Sequence, residues 1–262
     1  MMQSGSPIIS AVASIVLAGG KGVRMKSDLP KVLHPFLGKP LIAHVIGKLQ
    51  KAGVSDIFVI VGYRGELVID AIKDLAIPIW QKQQLGTGHA VMQAEDALAG
   101  FSGRIIIACG DVPLVRPETF RSLIADSEDQ SVKAVVLTMN LHNPTGYGRI
   151  VKDSSGNFLR IVEEKDASPD EKKIHEVNTG TCIFDKRLLF EGLRGINTNN
   201  AQGEYYLPDA LQHIRSSGYT VKTKLLENPR EGSGVNTKEE LKELEDYFRQ
   251  TEKDTSAWAI VC

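Results

Sequence analysis

Short runs of β-branched and apolar residues alternate with amphipathic stretches through the first half of the chain. Residues 14–17, 56–61, 77–80, 104–108 and 134–139 have the length and composition of buried strands. Between them, residues 40–51, 67–73, 89–98 and 117–126 repeat apolar positions at helical spacing. In the first of these helices Leu41, Val45, Ile46 and Leu49 share one face, and Pro40 suits the first helical position. Regular strand–helix alternation predicts an α/β fold: a Rossmann-like, mostly parallel sheet with helices on both faces.

From about residue 140 the rhythm changes. Turn-forming segments at 143–146 and 153–157 separate short strands at 149–152 and 158–162. This pattern predicts a smaller mixed α+β lobe over about 141–235, beside a larger lobe over about 10–140, within one domain spanning 1–250. Residues 206–216 and 238–249 read as amphipathic helices, the second with Leu241, Leu244 and Phe248 on its apolar side. Residues 251–262 have no clear period and read as a tail.

Charge narrows the function. Lys plus Arg total 31 against 32 Asp plus Glu, a net charge of -1. That balance excludes a general nucleic-acid or membrane-surface binder, both of which need a basic excess. The apolar run 8–18 is too short to span a membrane and has no Lys or Arg before it, so it reads as a strand rather than a signal. Cys109, Cys182 and Cys262 are far apart and form no Cys-x-x-Cys pair, which suggests neither a disulfide framework nor a zinc site. A reducing, cytoplasmic setting is expected.

The strongest chemical signal lies where the first strand runs into Leu17-Ala18-Gly19-Gly20-Lys21-Gly22-Val23-Arg24-Met25. Its glycines let backbone N–H groups approach a phosphate, and Lys21 and Arg24 add charge. The loop matches neither G-x-G-x-x-G nor G-x-x-x-x-G-K-[ST]. Lys31 follows Pro30, whose restriction of its neighbours can turn the lysine toward the same loop. Asp111 lies just past the strand 104–108, at the carboxyl end of a sheet strand, where open α/β folds bind ligands; a turn or capping aspartate is the alternative. Gln81 reads as a polar residue at a strand end, Thr87 as the cap of the helix after it, and Asn236 as a cap for the helix near Lys238. Glu163 and Glu164 are adjacent, so on a strand they face opposite ways and cannot act as an acid–base pair on one substrate; glycoside hydrolysis is excluded.

These features occur together with the blocks 28–34 (Asp-Leu-Pro-Lys-Val-Leu-His), 84–90 (Gln-Leu-Gly-Thr-Gly-His-Ala), 110–114 (Gly-Asp-Val-Pro-Leu), 144–150, 162–167, 177–180, 199–206 and 234–236. In that order they resemble the uridyltransferase domain of the N-acetylglucosamine-1-phosphate uridyltransferase family, also called UDP-N-acetylglucosamine pyrophosphorylase. The resemblance implies a nucleotide-diphospho-sugar transferase fold and a Mg²⁺-dependent enzyme acting on UTP and N-acetylglucosamine 1-phosphate. It assigns Leu17, Ala18, Gly19, Gly20, Lys31, Gln81, Gly86 and Thr87 to the nucleotide, with Gln81, Gly86 and Thr87 reading the base. It assigns Gly148, Glu163, Asn178 and Tyr206 to the sugar, Asp111 and Asn236 to Mg²⁺, and Arg24, Lys31 and Asp111 to catalysis.

The chain departs from the commonest family pattern at Gly19, Val23 and Cys109, where Ala, Thr and an aromatic residue are usual. Bifunctional members continue into a left-handed β-helix of hexapeptide repeats that transfers acetyl groups and assembles the trimer; no such repeat stands in these 262 residues, so neither property is carried over, and a separate acetyltransferase is left open as a partner. Two rivals remain open: a nucleotidyltransferase for another sugar or polyol phosphate, and a non-catalytic nucleotide-sugar binding module.

Overall fold

The computed structural model describes residues 11–254. Its main sheet is built from β1 (Val12–Leu17), a separate two-stranded hairpin follows as β2 (Pro35–Phe36) and β3 (Lys39–Pro40), and β4 (Asp56–Val61), β5 (Ile77–Trp80) and β6 (Arg104–Cys109) complete the first half. The second half adds β7 (Val132–Asn140), β8 (Arg149–Lys152), β9 (Phe158–Val162), β10 (Glu176–Asp185) and β11 (Thr220–Leu225). The order across the sheet is β11-β7-β10-β6-β1-β4-β5, with β8 and β9 hung from β10. Strands β6, β1, β4 and β5 are mutually parallel, as are β11 and β7. The sheet is mixed because β10 runs antiparallel to both β6 and β7.

Of the seven α-helices among the described residues, six cover it. On one face α1 (Leu41–Lys51), α2 (Gly65–Ala71) and α4 (Pro117–Ser127) pack Ile42, Val45, Leu49, Val68, Phe120 and Leu123 against Val16, Ile106 and Val135. On the other face α3 (Thr87–Met92), α5 (Lys186–Gly195) and α6 (Leu207–Ser216) pack against Ile15, Ile107 and Val136. Neighbouring strand residues thus enter opposite cores, which is why these strands read as continuous apolar runs. Helix α7 (Lys238–Asp254) buries Leu244 and Phe248 with Met25, Phe36 and Val235 in a third cluster. Each fully buried aliphatic or aromatic side chain contributes about 1.5–3 kcal/mol.

Several boundaries differ from the sequence expectation. Pro40 is not the first helical residue. It belongs to the β2–β3 hairpin with φ -54° and ψ 143°, and Leu41, whose N–H returns to the His34 carbonyl, opens α1. Helix α3 stops at Met92 instead of 98, and residues 93–98 continue as turns closed partly by i→i+3 bonds such as Ala94 N to Val91 O. Tyr206 stands before α6 with extended backbone. Residues 251–254, expected in the tail, continue α7; residues 255–262 and the start of the run 8–18, at 8–10, lie outside the described residues. No helix among the described residues is long and apolar enough to cross a membrane.

Candidate active site

The sheet order reverses between β1 and its two neighbours: the chain leaves β1 for β4 on one side and reaches β6 on the other. Such a switch point opens a crevice at the carboxyl ends of the strands. Leu17 and Cys109 are partners in the ladder, and Gly110 N donates to Leu17 O (3.0 Å), so the glycine-rich loop and Asp111 emerge side by side.

One cavity of about 350 Å³ opens there, lined by Leu17, Ala18, Gly19, Gly20, Lys31, Gln81, Gly86, Thr87 and Asp111, with Cys109 and Glu204 also on its wall. Every residue that the resemblance assigns to the nucleotide therefore borders one space. A second cavity of about 300 Å³ is lined by Arg24, Asp111, Gly148, Glu163, Asn178 and Asn236 among others. The two share Leu17, Thr87, Cys109 and Asp111. Tyr206 lines neither; its hydroxyl donates to Asp166 Oδ2 (3.1 Å) and accepts from Gln202 Nε2 (2.9 Å).

Where the cavities meet, the Lys31 ammonium donates to Asp111 Oδ2 and to Asn236 Oδ1 (3.1 Å), and Arg24 Nη2 donates to the same Asn236 oxygen (2.8 Å). Lys31 and Asp111 come from distant loops; Val235 N, donating to Asp111 O (2.9 Å), ties the third loop to them. Lys21 is elsewhere, with its ammonium over the Tyr63 ring. Two sequence alternatives fail. Helix α7 is capped by Thr237, whose Oγ1 accepts from Glu240 N (3.1 Å), so the Asn236 amide is left for the cations. Thr87 does not cap its own helix: Gly86 is in that position, and Thr87 Oγ1 accepts from Leu207 N (3.1 Å) at the start of α6.

The second cavity owes its shape to irregular backbone. A register shift in β10 between Asn178 and Cys182 turns Asn178, Thr179 and Gly180 into the space. Gly180 has φ 79° and a Cβ there would sit 2.7 Å from Cys109 Sγ, so glycine is required. At Gly148 a Cβ would meet Ile161 Cγ2 at 2.8 Å and Glu163 Oε1 at 3.2 Å, so the missing side chain leaves room for the carboxylate. Burial, then the carboxylates of Asp166, Asp209 and Glu204, raises the pKa of Glu163 above the usual range. Strand β9 ends at Val162, so the two glutamates expected on a strand lie past it, and Glu164, in the turn that follows, pairs with Arg149 (2.6 Å). Burial pushes the Cys109 thiol up to about 12, which keeps it neutral in the cleft.

Cys109, which the sequence marked only as a departure at a possible sugar or base contact, is a wall of both spaces, while the loop residues Thr145 and Tyr147, and Glu204, were given no role from the sequence. Glu204 was within reach, since it stands in the block 199–206. Thr145 and Tyr147 were within reach as well, in the block 144–150, although Thr145 on its own reads as an ordinary turn.

Comparison with known proteins gives the chain a family and a fold likeness. A family model described as MobA-like NTP transferase domain matches residues 14–168, more than half of the chain. Curated relatives named bifunctional protein GlmU are similar: 46% identity over 237 residues in Exiguobacterium sp. and 43% over 239 residues in Pelotomaculum thermopropionicum. These alignments cover 90% and 91% of the chain but 52% of each relative, so the chain spans about half the length of the curated relatives it matches. A Bacillus anthracis structure assigned as a glucose-1-phosphate thymidylyltransferase, solved with sucrose, superposes with a TM-score of 0.74 at 21% identity, covering 91% of this chain and 96% of that one. At that identity the likeness concerns the fold. With its parallel core strands, switch-point crevice and glycine-rich loop inside the matched region, the chain belongs to the MobA-like NTP transferase domain family.

Proposed function

We propose that the chain transfers a uridylyl group, converting UTP and N-acetyl-α-D-glucosamine 1-phosphate to UDP-N-acetylglucosamine and pyrophosphate. The observation that carries this reading is the pair of cavities meeting at Lys31, Asp111 and Asn236. A nucleotide in one and a sugar phosphate in the other would meet at that point. An oxygen of the sugar phosphate attacks the α-phosphorus in line; a P–O bond forms there and the bond to pyrophosphate breaks. The nucleophile is already ionised at neutral pH, so no general base is needed, and catalysis rests on positioning and charge neutralisation. Lys31 and Arg24 neutralise the crowded phosphates and the departing pyrophosphate.

The residues fit a hard divalent cation. Asp111 and Asn236 present two oxygens that converge on one cationic nitrogen, that of Lys31, and oxygen donors are what Mg²⁺ prefers. No group of three or more His, Cys, Asp or Glu side chains is placed to hold a metal among the described residues, so phosphate oxygens and water would complete the coordination. When bound, Mg²⁺ would supply charge to the reacting phosphates. A cytoplasmic location completes the reading.

The test is to incubate the purified chain with Mg²⁺, UTP and N-acetylglucosamine 1-phosphate and to quantify UDP-N-acetylglucosamine, with a metal-free control. Metal-dependent product is expected, with N-acetylgalactosamine and glucose 1-phosphates poorer acceptors. Well-folded protein that yields product with none of the three would sink the proposal.

Glu163 carries a prediction of its own. Its pKa is raised by burial, so between the unfolded value and the higher folded value the native state holds the extra proton. Stability from this group therefore falls as pH rises through that window and stays low at neutral pH. Glu163→Gln is expected to raise the melting temperature at pH 7 while raising KM for the sugar phosphate about tenfold. Unchanged KM in the variant would remove Glu163 from the sugar site.

A further inference from the structure

Gln81 is 4% exposed, and its amide nitrogen donates to Gly86 O (3.2 Å) and lies 3.1 Å from His89 Nδ1. A carbonyl oxygen only accepts, so Gly86 fixes which end of the amide faces α3: the nitrogen. The oxygen Oε1 then points the other way, against Gly19, where an added Cβ would lie 3.1 Å from it. Gly19 and Gln81 both line the nucleotide-side cavity. With one N–H on Gly86, the second needs an acceptor, and His89 Nδ1 is in place to provide it in the tautomer protonated at Nε2. Gln93 competes for the ring: its amide nitrogen is 3.3 Å from His89 Nε2. Yet Gln93 already donates to the His89 carbonyl (3.0 Å) and is partly exposed, so water can take its other N–H, whereas the buried amide of Gln81 has no such recourse. The imidazole is itself held by stacking on Tyr205, with ring centroids 6.3 Å apart.

We propose that His89 is a specificity-positioning residue: by accepting the second N–H of Gln81 it locks the Gln81 carbonyl oxygen toward the nucleotide cavity and so sets the choice of uracil over cytosine. The inference rests on the uridylyl-transfer reading and deepens it. Uracil carries a proton on N3 and meets a fixed acceptor favourably; cytosine has a lone pair at N3 and is repelled by it. If the amide could rotate, its N–H₂ would face the cavity for part of the time and welcome cytosine instead. One side chain that never touches the base would then help to decide which base is bound, because together with the Gly86 carbonyl it holds one end of the amide toward the cavity.

The test compares wild type, His89→Phe and His89→Asn in the full chain. Phenylalanine keeps an aromatic ring beside Tyr205 but offers no acceptor; asparagine can return an oxygen near the position of Nδ1. Calorimetric titration with UDP and with CDP reads base preference without turnover, and UTP against CTP kcat/KM ratios are measured in parallel. H89F is expected to lower the UDP-over-CDP preference about tenfold, with H89N largely restoring it and KM for the sugar phosphate unchanged. If H89F does not fold by circular dichroism, His89→Ala takes its place. Equal weakening of UDP and CDP, an unchanged preference, or H89N behaving like H89F would each overturn the proposal. A wild-type chain indifferent to UDP and CDP would do so as well. A chain that prefers UDP, and loses the preference in H89F, yet makes no UDP-sugar would uphold the role of His89 and count against the transfer reading alone.

Discussion

Asp111→Ala is expected to lower kcat by about three orders of magnitude, or ~4 kcal/mol of transition-state stabilisation, while the fold stands. The side chain lies where both cavities meet, in contact with the Lys31 ammonium, and it is the one carboxylate shared by their linings. Removing it takes away the negative charge that holds the Lys31 ammonium and one of the two oxygens proposed to hold Mg²⁺. The structural cost is small. The Asp111 carbonyl still accepts from Val235 N (2.9 Å), and the Lys31 ammonium keeps Asn236 Oδ1 at 3.1 Å and some contact with solvent. Melting temperature and circular dichroism should stay near wild type. Asp111→Asn keeps the shape and an oxygen but not the charge, so it should fall between the two, with activity partly recovered as Mg²⁺ is raised. Near wild-type turnover in Asp111→Ala would sink the metal assignment.

How far such roles were legible depends on the physics behind each element. Strands β1, β4 and β6 announce themselves because both faces are buried, leaving unbroken apolar runs such as Ile105, Ile106 and Ile107, whereas β5, a largely exposed edge strand, shows only through its apolar composition. The hairpin of β8 and β9 is bounded by turn residues and appears at its exact limits. Strand β10 escaped because its middle is a bulge: Asn178, Thr179 and Gly180 interrupt the strand pattern to serve the cavity. Helix α5 was hidden by Gly192, which reads as a breaker yet is demanded by packing, since a Cβ there would lie 3.2 Å from the Ala210 carbonyl. Strand β11 is an edge with alternating lysines and threonines and only Val221 buried, too polar to stand out. The glycine-rich loop, Lys31 and Asp111 were visible as chemistry; their meeting with Asn236, 205 positions after Lys31, is a property of the sheet order.

The Arg149–Glu164 pair should show a marked asymmetry. The Arg149 guanidinium is among the largest fully buried side chains, and its Nε has no partner, whereas Glu164 is about one quarter exposed, at 28%. Arg149 donates to the Tyr147 carbonyl and to Glu164 (2.6 Å), and Glu164 accepts from Gly146 N (3.0 Å), so the pair clips from below the loop that carries Gly146, Tyr147 and Gly148 over the sugar-side cavity. Glu164→Ala strands a buried cation and is expected to cost about 3–5 kcal/mol. Arg149→Met retains most of the buried volume and leaves a carboxylate that water can reach, so its cost should be nearer 1–2 kcal/mol. Urea unfolding at pH 7 decides the order, and the reverse order would refute the account. The Gly146 N–H, then Arg149, holds the Glu164 carboxyl below the usual range. Its stabilisation is therefore complete above the unfolded pKa and is lost as pH falls through the folded value, so wild type and Glu164→Ala should converge in acid. Both variants free the loop, and both should raise KM for the sugar phosphate while leaving KM for UTP in place, since none of these residues borders the nucleotide side.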